Sequence, residues 1–188
     1  MEQPAAKVSG NPGSELRDFD TLVRVHRPRI FRFLLASLRN RETAENLTQD
    51  CLVRAYLARD RFRGASSVAT WIMQIAANLL RDHQSNSRLR FWRRNLQADV
   101  DIGDLARAIP DGQHSPEALT IIGEQVQAIW DAAARLPERQ RTVFLLRFVE
   151  DLDLLEIAEV TGMKEGTVKT HLFRALESVR ARLEGKKK

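Results

Sequence analysis

The segment "LLEIAEVTGMKEGTVKTHLF", residues 154–173, constrains the fold more than any other part of the chain. It places Ala158, Gly162 and Val168 at successive spacings of four and six residues. A small residue lets two helices approach closely, a glycine adopts a left-handed turn, and a branched apolar residue packs the second helix onto the first. The spacing predicts a helix-turn-helix, with Asp153 as the N-cap of its first helix.

The second helix of this motif is predicted to have one buried face and one face that can read DNA. The buried face consists of Val168, Leu172, Ala175, Leu176, Val179 and Leu183. The opposite face carries Lys169, Thr170, Phe173 and Arg174. In a major groove an aromatic ring can meet a thymine methyl while cationic side chains reach guanine edges or phosphates. The alternative is that Phe173 packs on a neighbouring helix and the charged residues are simply solvated.

Helical periodicity runs through both halves of the chain, from Leu16 to about Asn95 and from about Ala118 to Leu183, without strand-like alternation. The predicted fold is therefore all-α, with two small helical domains. We expect a disordered tail over 1–15, a first domain over 16–95, an acidic linker over 96–117 and a helix-turn-helix domain over 118–188. The linker carries Asp99, Asp101, Asp104 and Asp111.

The segment 43–62 is predicted to form a helix that is apolar on two sides. One face consists of Ala44, Leu47, Cys51, Ala55 and Ala58. On the other side Asn46, Gln49 and Asp50 lie beside Val53 and Leu57. Such a helix either lies at the centre of its domain or has a partner protein. The pattern alone leaves both alternatives open.

A glycine- and serine-containing loop then leads into a helix with a polar stripe formed by Gln74, Asn78, Arg81 and Ser85. The segment "RLRFWRR", residues 88–94, comes next with four arginines and two aromatic residues. Amides, arginines and aromatic rings together are suited to holding backbone phosphates and unpaired bases. A solvated helix face is the alternative interpretation of the stripe.

Composition excludes several other classes of function. The net charge of +5 suits a polyanionic partner, and the single cysteine excludes a disulfide framework. The four histidines are scattered and no glycine-rich phosphate loop is present, so we predict no catalytic residue, no metal and no cofactor. No secretory signal or membrane-spanning stretch is visible, which predicts a cytoplasmic protein without membrane insertion.

Taken in order, the motifs resemble those of extracytoplasmic-function (ECF) sigma factors of bacterial RNA polymerase, in the sigma-70 family. They are "AENLTQDCLVRAYLARDRFRG", "TWIMQIAANLLRD", the linker with "SPEAL", "LPERQRTVFLLRFVEDLDLLEIAEVTG" and "GTVKTHLFRAL". The resemblance covers residues from about 16 to 183. The helix-turn-helix alone also resembles that of LuxR-type regulators, but such a regulator would need a receiver or ligand domain, and no strands are visible before residue 100.

The resemblance implies a transcription initiation factor, not an enzyme, that directs core polymerase to promoters. The two domains then correspond to a sigma-2-like domain for the −10 element and a sigma-4-like domain for the −35 element. The implied partners are promoter DNA, core polymerase through the β′ clamp helices and the β flap, and an anti-sigma factor. Acidic residues of the linker would thread toward the polymerase cleft, with a plain tether as the alternative.

The resemblance also assigns residues to these contacts. The positions implied to bind polymerase are Glu45, Asn46, Gln49, Asp50, Val53 and Leu57. The positions implied to bind the −10 element are Arg63, Ser66, Ser67, Gln74, Asn78 and Arg81. The positions implied to bind the −35 element are Lys169, Thr170, Phe173 and Arg174. Asn46 and Ala65 stand where many members have acidic residues, and many members have an aromatic residue at or next to the position of Val68.

Overall fold

The computed structural model describes residues 18–91 and 126–185, with the backbone alone for 86–91. Every regular element in these residues is helical, as the periodicity predicted. The predictions for the N-terminal tail, for the side chains of the arginine cluster at 88–94 and for the acidic linker lie outside the described part of the chain.

The N-terminal group contains three long helices: α1 (Phe19–Leu38), α2 (Arg41–Ala58) and α3 (Val68–Phe91), with a 3₁₀ turn at Arg59–Arg61. A side-chain acceptor caps each helix at its start: Asp18 for α1, Asn40 for α2 and Ser67 for α3. Capping satisfies backbone N–H groups that have no partner within the helix and contributes about 1 kcal/mol. The apolar faces of the three helices then pack on one another.

The C-terminal group contains α4, described over 126–134, α5 (Glu138–Phe148), α6 (Leu154–Thr161) and α7 (Glu165–Gly185). Its centre holds Val143, Leu146 and Ile157, all fully buried. Full burial of one such side chain stabilises the fold by roughly 1.5–3 kcal/mol. These contacts fix α6 and α7 against α5, and therefore fix the orientation of the helix-turn-helix.

The two groups of helices also pack against each other. Helix α3 lies on α6, and α1 lies on α5, so that the buried apolar residues form one continuous core. Within the described residues no helix is long and apolar enough to cross a membrane, and no cluster of three or more His, Cys, Asp or Glu side chains could hold a metal ion.

Candidate nucleic-acid interface

The C-terminal motif has the geometry of a helix-turn-helix. Asp153 and Glu156 form a reciprocal capping box at the start of α6: Asp153 Oδ1 accepts from the Glu156 N–H at 2.8 Å, and Glu156 Oε2 accepts from the Asp153 N–H at 2.9 Å. Gly162 ends α6 with φ +69°, and its N–H donates to the Ala158 carbonyl. Val168 is fully buried. The predicted N-cap and the predicted turn glycine are both confirmed.

The face of α7 that was predicted to read DNA is open to solvent. Lys169, Thr170, Phe173 and Arg174 are all exposed, and Phe173 is 62% exposed. Phe173 therefore does not pack into the domain, which was the alternative interpretation. Lys169 Nζ lies 2.6 Å from Glu165 Oε1, but an exposed pair of this kind contributes only about 0.3–0.5 kcal/mol. DNA phosphates could compete for this lysine at little cost.

One residue of the predicted buried face was placed wrongly. Leu176 is 40% exposed, whereas Val168, Ala175 and Val179 are buried. Helices α5 and α6 cover only the side of α7 that is centred on these three residues. Leu176 therefore lies at the edge of the contact, beside the exposed face.

The second face of α2 is exposed. Leu57 is 71% exposed, and Val53 is exposed beside it, while Asn46, Gln49 and Asp50 are exposed and Glu45 is half-buried on the same helix. Two large exposed aliphatic residues beside amides and a carboxylate have the composition of a protein-binding surface. The sequence pattern did not indicate Tyr56 on this surface: its ring packs edge-on to Phe19 at 4.9 Å, and the Arg59 guanidinium lies 3.9 Å from its centroid.

The loop before α3 brings only part of the predicted −10 site to the surface. Arg63 and Ser67 are exposed and Ser66 is half-buried. The Ser67 hydroxyl is already used in capping, since it accepts from the Thr70 N–H at 3.0 Å and lies 2.8 Å from the Thr70 hydroxyl. Trp71 packs against the core beside Phe62, with ring centroids 5.1 Å apart.

The polar stripe on α3 faces the C-terminal helices. Arg81 Nη2 donates to Asn78 Oδ1 at 2.7 Å, and Gln74 Nε2 donates to the Glu159 carbonyl at 3.3 Å. Asn78 and Arg81 line a cleft of about 380 Å³ whose far wall includes Arg139 of α5 and Thr161 at the end of α6. The structure thus brings these three predicted site residues together, but against another part of the same chain.

An ion-pair cluster around a buried carboxylate, which the sequence did not predict, joins the two groups of helices. Arg29 Nε lies 2.9 Å from Glu150 Oε2, Arg32 Nη2 lies 3.0 Å from Glu150 Oε1, and the Glu150 side chain is fully buried. The only signal in the sequence was a pair of arginines three residues apart within an apolar run of α1.

Two family models match the two groups of helices. The model of Sigma-70 region 2 matches residues 22–94, and that of Sigma-70, region 4 matches residues 126–179. The ECF RNA polymerase sigma-E factor of Escherichia coli K12 is 31% identical over 138 residues, which cover 71% of this chain and 70% of that protein. The chain belongs to the family of ECF RNA polymerase sigma factors.

Other members and structures extend this result. The ECF RNA polymerase sigma factor SigW of Bacillus subtilis is 29% identical over 171 residues, 88% of each chain. The solved structure of RpoE from Bartonella quintana, in complex with the anti-sigma factor NepR, superposes with a TM-score of 0.67 at 21% identity, covering 89% of this sigma factor and 98% of RpoE. The structure of CnrH in complex with the cytosolic domain of CnrY superposes with a TM-score of 0.60 at 19% identity. The match covers 93% of this chain and 95% of CnrH. At these identities the likeness concerns the fold.

Proposed function

We propose that this sigma factor binds bacterial core RNA polymerase through the exposed face of α2 and reads the −35 promoter element through α7. The observation that supports this most strongly is the separation of two exposed surfaces with different chemistry. One combines apolar and amide side chains on α2, and the other combines Lys169, Phe173 and Arg174 on a helix-turn-helix. The first composition suits a protein partner and the second suits a major groove.

On the α2 face, the β′ clamp helices are the proposed partner. The exposed side chains of Val53 and Leu57 supply the apolar contact, and Tyr56 extends it. Burial of one large aliphatic side chain in an interface contributes on the order of 1.5–3 kcal/mol. The amides of Asn46 and Gln49 and the carboxylate of Asp50 surround this contact and would fix its orientation. The β flap is proposed as the contact of the C-terminal domain.

For the −10 element, we propose the loop residues Arg63, Ser66 and Ser67 together with Gln74, Asn78 and Arg81 on α3. These side chains combine cationic, hydroxyl and amide groups, which can hold a phosphate backbone and an unpaired base. Because Ser67 caps α3 through its side chain, its contribution to DNA would come through the remaining lone pairs of the hydroxyl or through backbone groups.

Two single substitutions separate the proposed roles. Leu57→Asp places a charge in the apolar contact and should weaken binding to core polymerase at least about tenfold. Arg174→Ala should cost about 1–3 kcal/mol of promoter recognition while leaving polymerase binding unchanged. Arg180→Ala, an exposed arginine farther along α7, is the control for the loss of one positive charge.

The readouts are co-elution with purified core polymerase and run-off transcription from a promoter selected with the wild-type protein. Leu57→Asp should fail in both assays, and Arg174→Ala should fail only in transcription. Equal loss of polymerase binding in both variants would contradict the assignment of the two faces.

We further propose that an anti-sigma factor regulates this protein. The support is its likeness in fold to RpoE, which was solved with the anti-sigma factor NepR, together with the large exposed surfaces on α2 and α7. Affinity purification from the native cell should recover a small protein in a one-to-one ratio. Recovery of polymerase with no stoichiometric small partner would count against this proposal.

A further inference from the structure

The carboxylate of Glu165 and the ammonium of Lys169 form an ion pair at the start of the DNA-reading face of α7. Lys169 Nζ lies 2.6 Å from Glu165 Oε1, and the side chains of Lys169 and Glu165 are 58% and 42% exposed. Glu165 lies in the first turn of α7, and Lys169 and Phe173 follow it at intervals of four residues. Glu165 is not among the residues assigned to the −35 element. An acidic side chain at this end of the helix would lie close to DNA in a bound complex, so its chemistry there matters.

Glu165 lies at the end of α7 that a recognition helix brings to the bases. In helix-turn-helix proteins the N-terminal residues of the second helix contact base edges in the major groove. From Glu165 to Arg174 the helix rises by about 14 Å, which is the height of about four base pairs. Glu165 and Arg174 therefore face different base pairs of one element.

The ion pair presents a hydrogen-bond acceptor and a donor side by side. The ionised carboxylate can only accept hydrogen bonds, and the ammonium can only donate them. The neighbouring Thr170 hydroxyl does not offer its proton to DNA, because it donates to the Gly166 carbonyl at 2.9 Å. Since Lys169 lies one turn farther along α7 than Glu165, the order of acceptor and donor along the groove is fixed.

One base pair in one orientation matches this order. In the major groove a G·C pair presents two acceptors on guanine, N7 and O6, next to one donor, the N4 amine of cytosine. Lysine binds the guanine edge, and a carboxylate accepts from the cytosine amine. In an A·T pair the adenine amine lies between two acceptors, so a carboxylate on that amine would also face the thymine O4 atom. In the reversed C·G pair the donor and the acceptors change places.

Lys169 also offsets the cost of bringing a carboxylate to DNA. The phosphates repel an unpaired carboxylate, and a groove contact that excludes water makes any unpaired charge costly. Because the two charges of the pair cancel, Glu165 can enter the groove together with Lys169. The exposed pair is weak in water, so the groove itself couples the two side chains.

We propose that Glu165 is a specificity-determining residue that reads one G·C pair of the −35 element jointly with Lys169. Lys169 donates to the guanine edge, and Glu165 accepts from the cytosine amine of the same pair. This inference rests on the proposed function of α7. It adds the identity and the orientation of one base pair, at the end of the element opposite to the pair that Arg174 faces.

The test uses the full-length protein with core polymerase and a promoter library in which the −35 element is randomised. A promoter selected with the wild-type protein supplies the rest of the sequence, and a barcode in the transcribed region identifies each template. Sequencing of the transcripts then gives the base preference at every position. The wild type should favour G·C over each other base pair by roughly tenfold at one position.

Two variants should lose this preference. Glu165→Ala removes the acceptor, and Glu165→Gln replaces the carboxylate by an amide of nearly the same shape. The glutamine should also admit A·T at this position, because an amide both accepts from and donates to the adenine edge. The preferences at the other positions of the element should stay as in the wild type.

Glu184→Gln is the matched control. Glu184 is an exposed glutamate of the same helix, about 28 Å farther along α7 than Glu165, and the substitution removes the same charge. The control should keep every wild-type preference. Circular dichroism and co-elution with core polymerase check that the variants fold and bind. If either Glu165 variant keeps the preference at this position, or changes several positions equally, the proposal is overturned.

A double-mutant cycle tests whether the two residues read the base pair jointly. Lys169→Met leaves the Glu165 carboxylate unpaired in the groove. At limiting holoenzyme on the selected promoter, it should therefore lower initiation at least about fivefold more in the wild-type background than in the Glu165→Gln background. Effects that multiply independently would refute the joint reading.

The same experiment separates failure of this inference from failure of the proposed function. Discrete start sites without a G·C preference that depends on Glu165 would leave the function standing and refute the inference. The absence of any promoter-dependent transcript from the wild-type protein would refute the function, and the inference would fall with it.

Discussion

The turn between α6 and α7 allows a test in which the same chemical change has opposite effects at two nearby positions. Gly162 ends α6 with φ +69°, and Gly166 lies in the first turn of α7 with an ordinary helical backbone. A Cβ built at either position meets no atom within 4 Å. Replacement of either glycine by alanine therefore creates no collision, and only the backbone preference differs.

The expected energies depend on the two backbone conformations. An alanine in the left-handed region costs roughly 1–2 kcal/mol, of which the lower entropy of the unfolded chain returns a part. Gly162→Ala should therefore lower the free energy of unfolding by about 1 kcal/mol. Gly166→Ala should raise the free energy of unfolding by about 0.5 kcal/mol. Alanine has a higher helix propensity than glycine, and this propensity has a smaller effect in the first turn than in the helix interior.

Urea unfolding monitored by helical circular dichroism measures both changes. The free energy of unfolding falls by about 2 kcal/mol for each M of urea. The urea concentration at the midpoint of unfolding should therefore fall by about 0.5 M for Gly162→Ala and rise by about 0.25 M for Gly166→Ala. A Gly162→Ala protein as stable as wild type would refute the left-handed turn. Shifts of the same sign in both variants would also contradict the helix-turn-helix geometry.

Two further predictions concern buried groups of the N-terminal helices. Burial raises the pKa of the Cys51 thiol to about 12. The native protein should therefore resist maleimide at neutral pH and react with it once unfolded in urea. Rapid labelling of the native protein would contradict the burial of Cys51. Burial, and to a lesser extent the charge of Arg29, lowers the pKa of His26 from 6.5 to about 4. As the pH falls, His26 binds a proton at a higher pH in the unfolded chain than in the native protein. The free energy of unfolding should therefore fall by roughly 2–3 kcal/mol as the pH drops from neutral to about 4.5. In the His26→Leu variant, denaturant titrations at the two pH values should not show this fall in the free energy of unfolding. If the variant and the wild type show the same pH dependence, His26 is not its cause.

Local signals in the sequence predicted the helix-turn-helix well. The Asp153 cap and the Gly162 turn are each determined by residues within one or two helical turns, where the chemistry of capping and of positive φ leaves few alternatives. The two-sided character of α2 was also visible, because exposed Val53 and Leu57 interrupt an otherwise polar face. Hydrophobic periodicity was less informative for Leu176. It indicates which face of a helix is buried, but not how wide a part of that helix the neighbouring helices cover.

The contacts between the two halves could not be read from the sequence. In the sequence, Arg32 interrupts the apolar run "IFRFLLASL" and Glu150 stands beside Asp151, and neither pattern indicates a partner. Their contact joins positions more than a hundred residues apart, and no local pattern encodes such a pairing. For the same reason the sequence identified Gln74, Asn78 and Arg81 as a polar stripe without indicating that α5 and α6 face it.

Initiation by purified components tests the proposed sigma-factor activity most directly. The protein is mixed with bacterial core RNA polymerase and a library of genomic fragments, and the 5′ ends of the transcripts are mapped. We expect co-elution with polymerase and discrete start sites preceded by shared −35 and −10 sequences, with both lost in the Leu57→Asp variant. Duplex DNA binding by the protein alone, without co-elution and without start sites above those of core polymerase, would contradict the proposed activity.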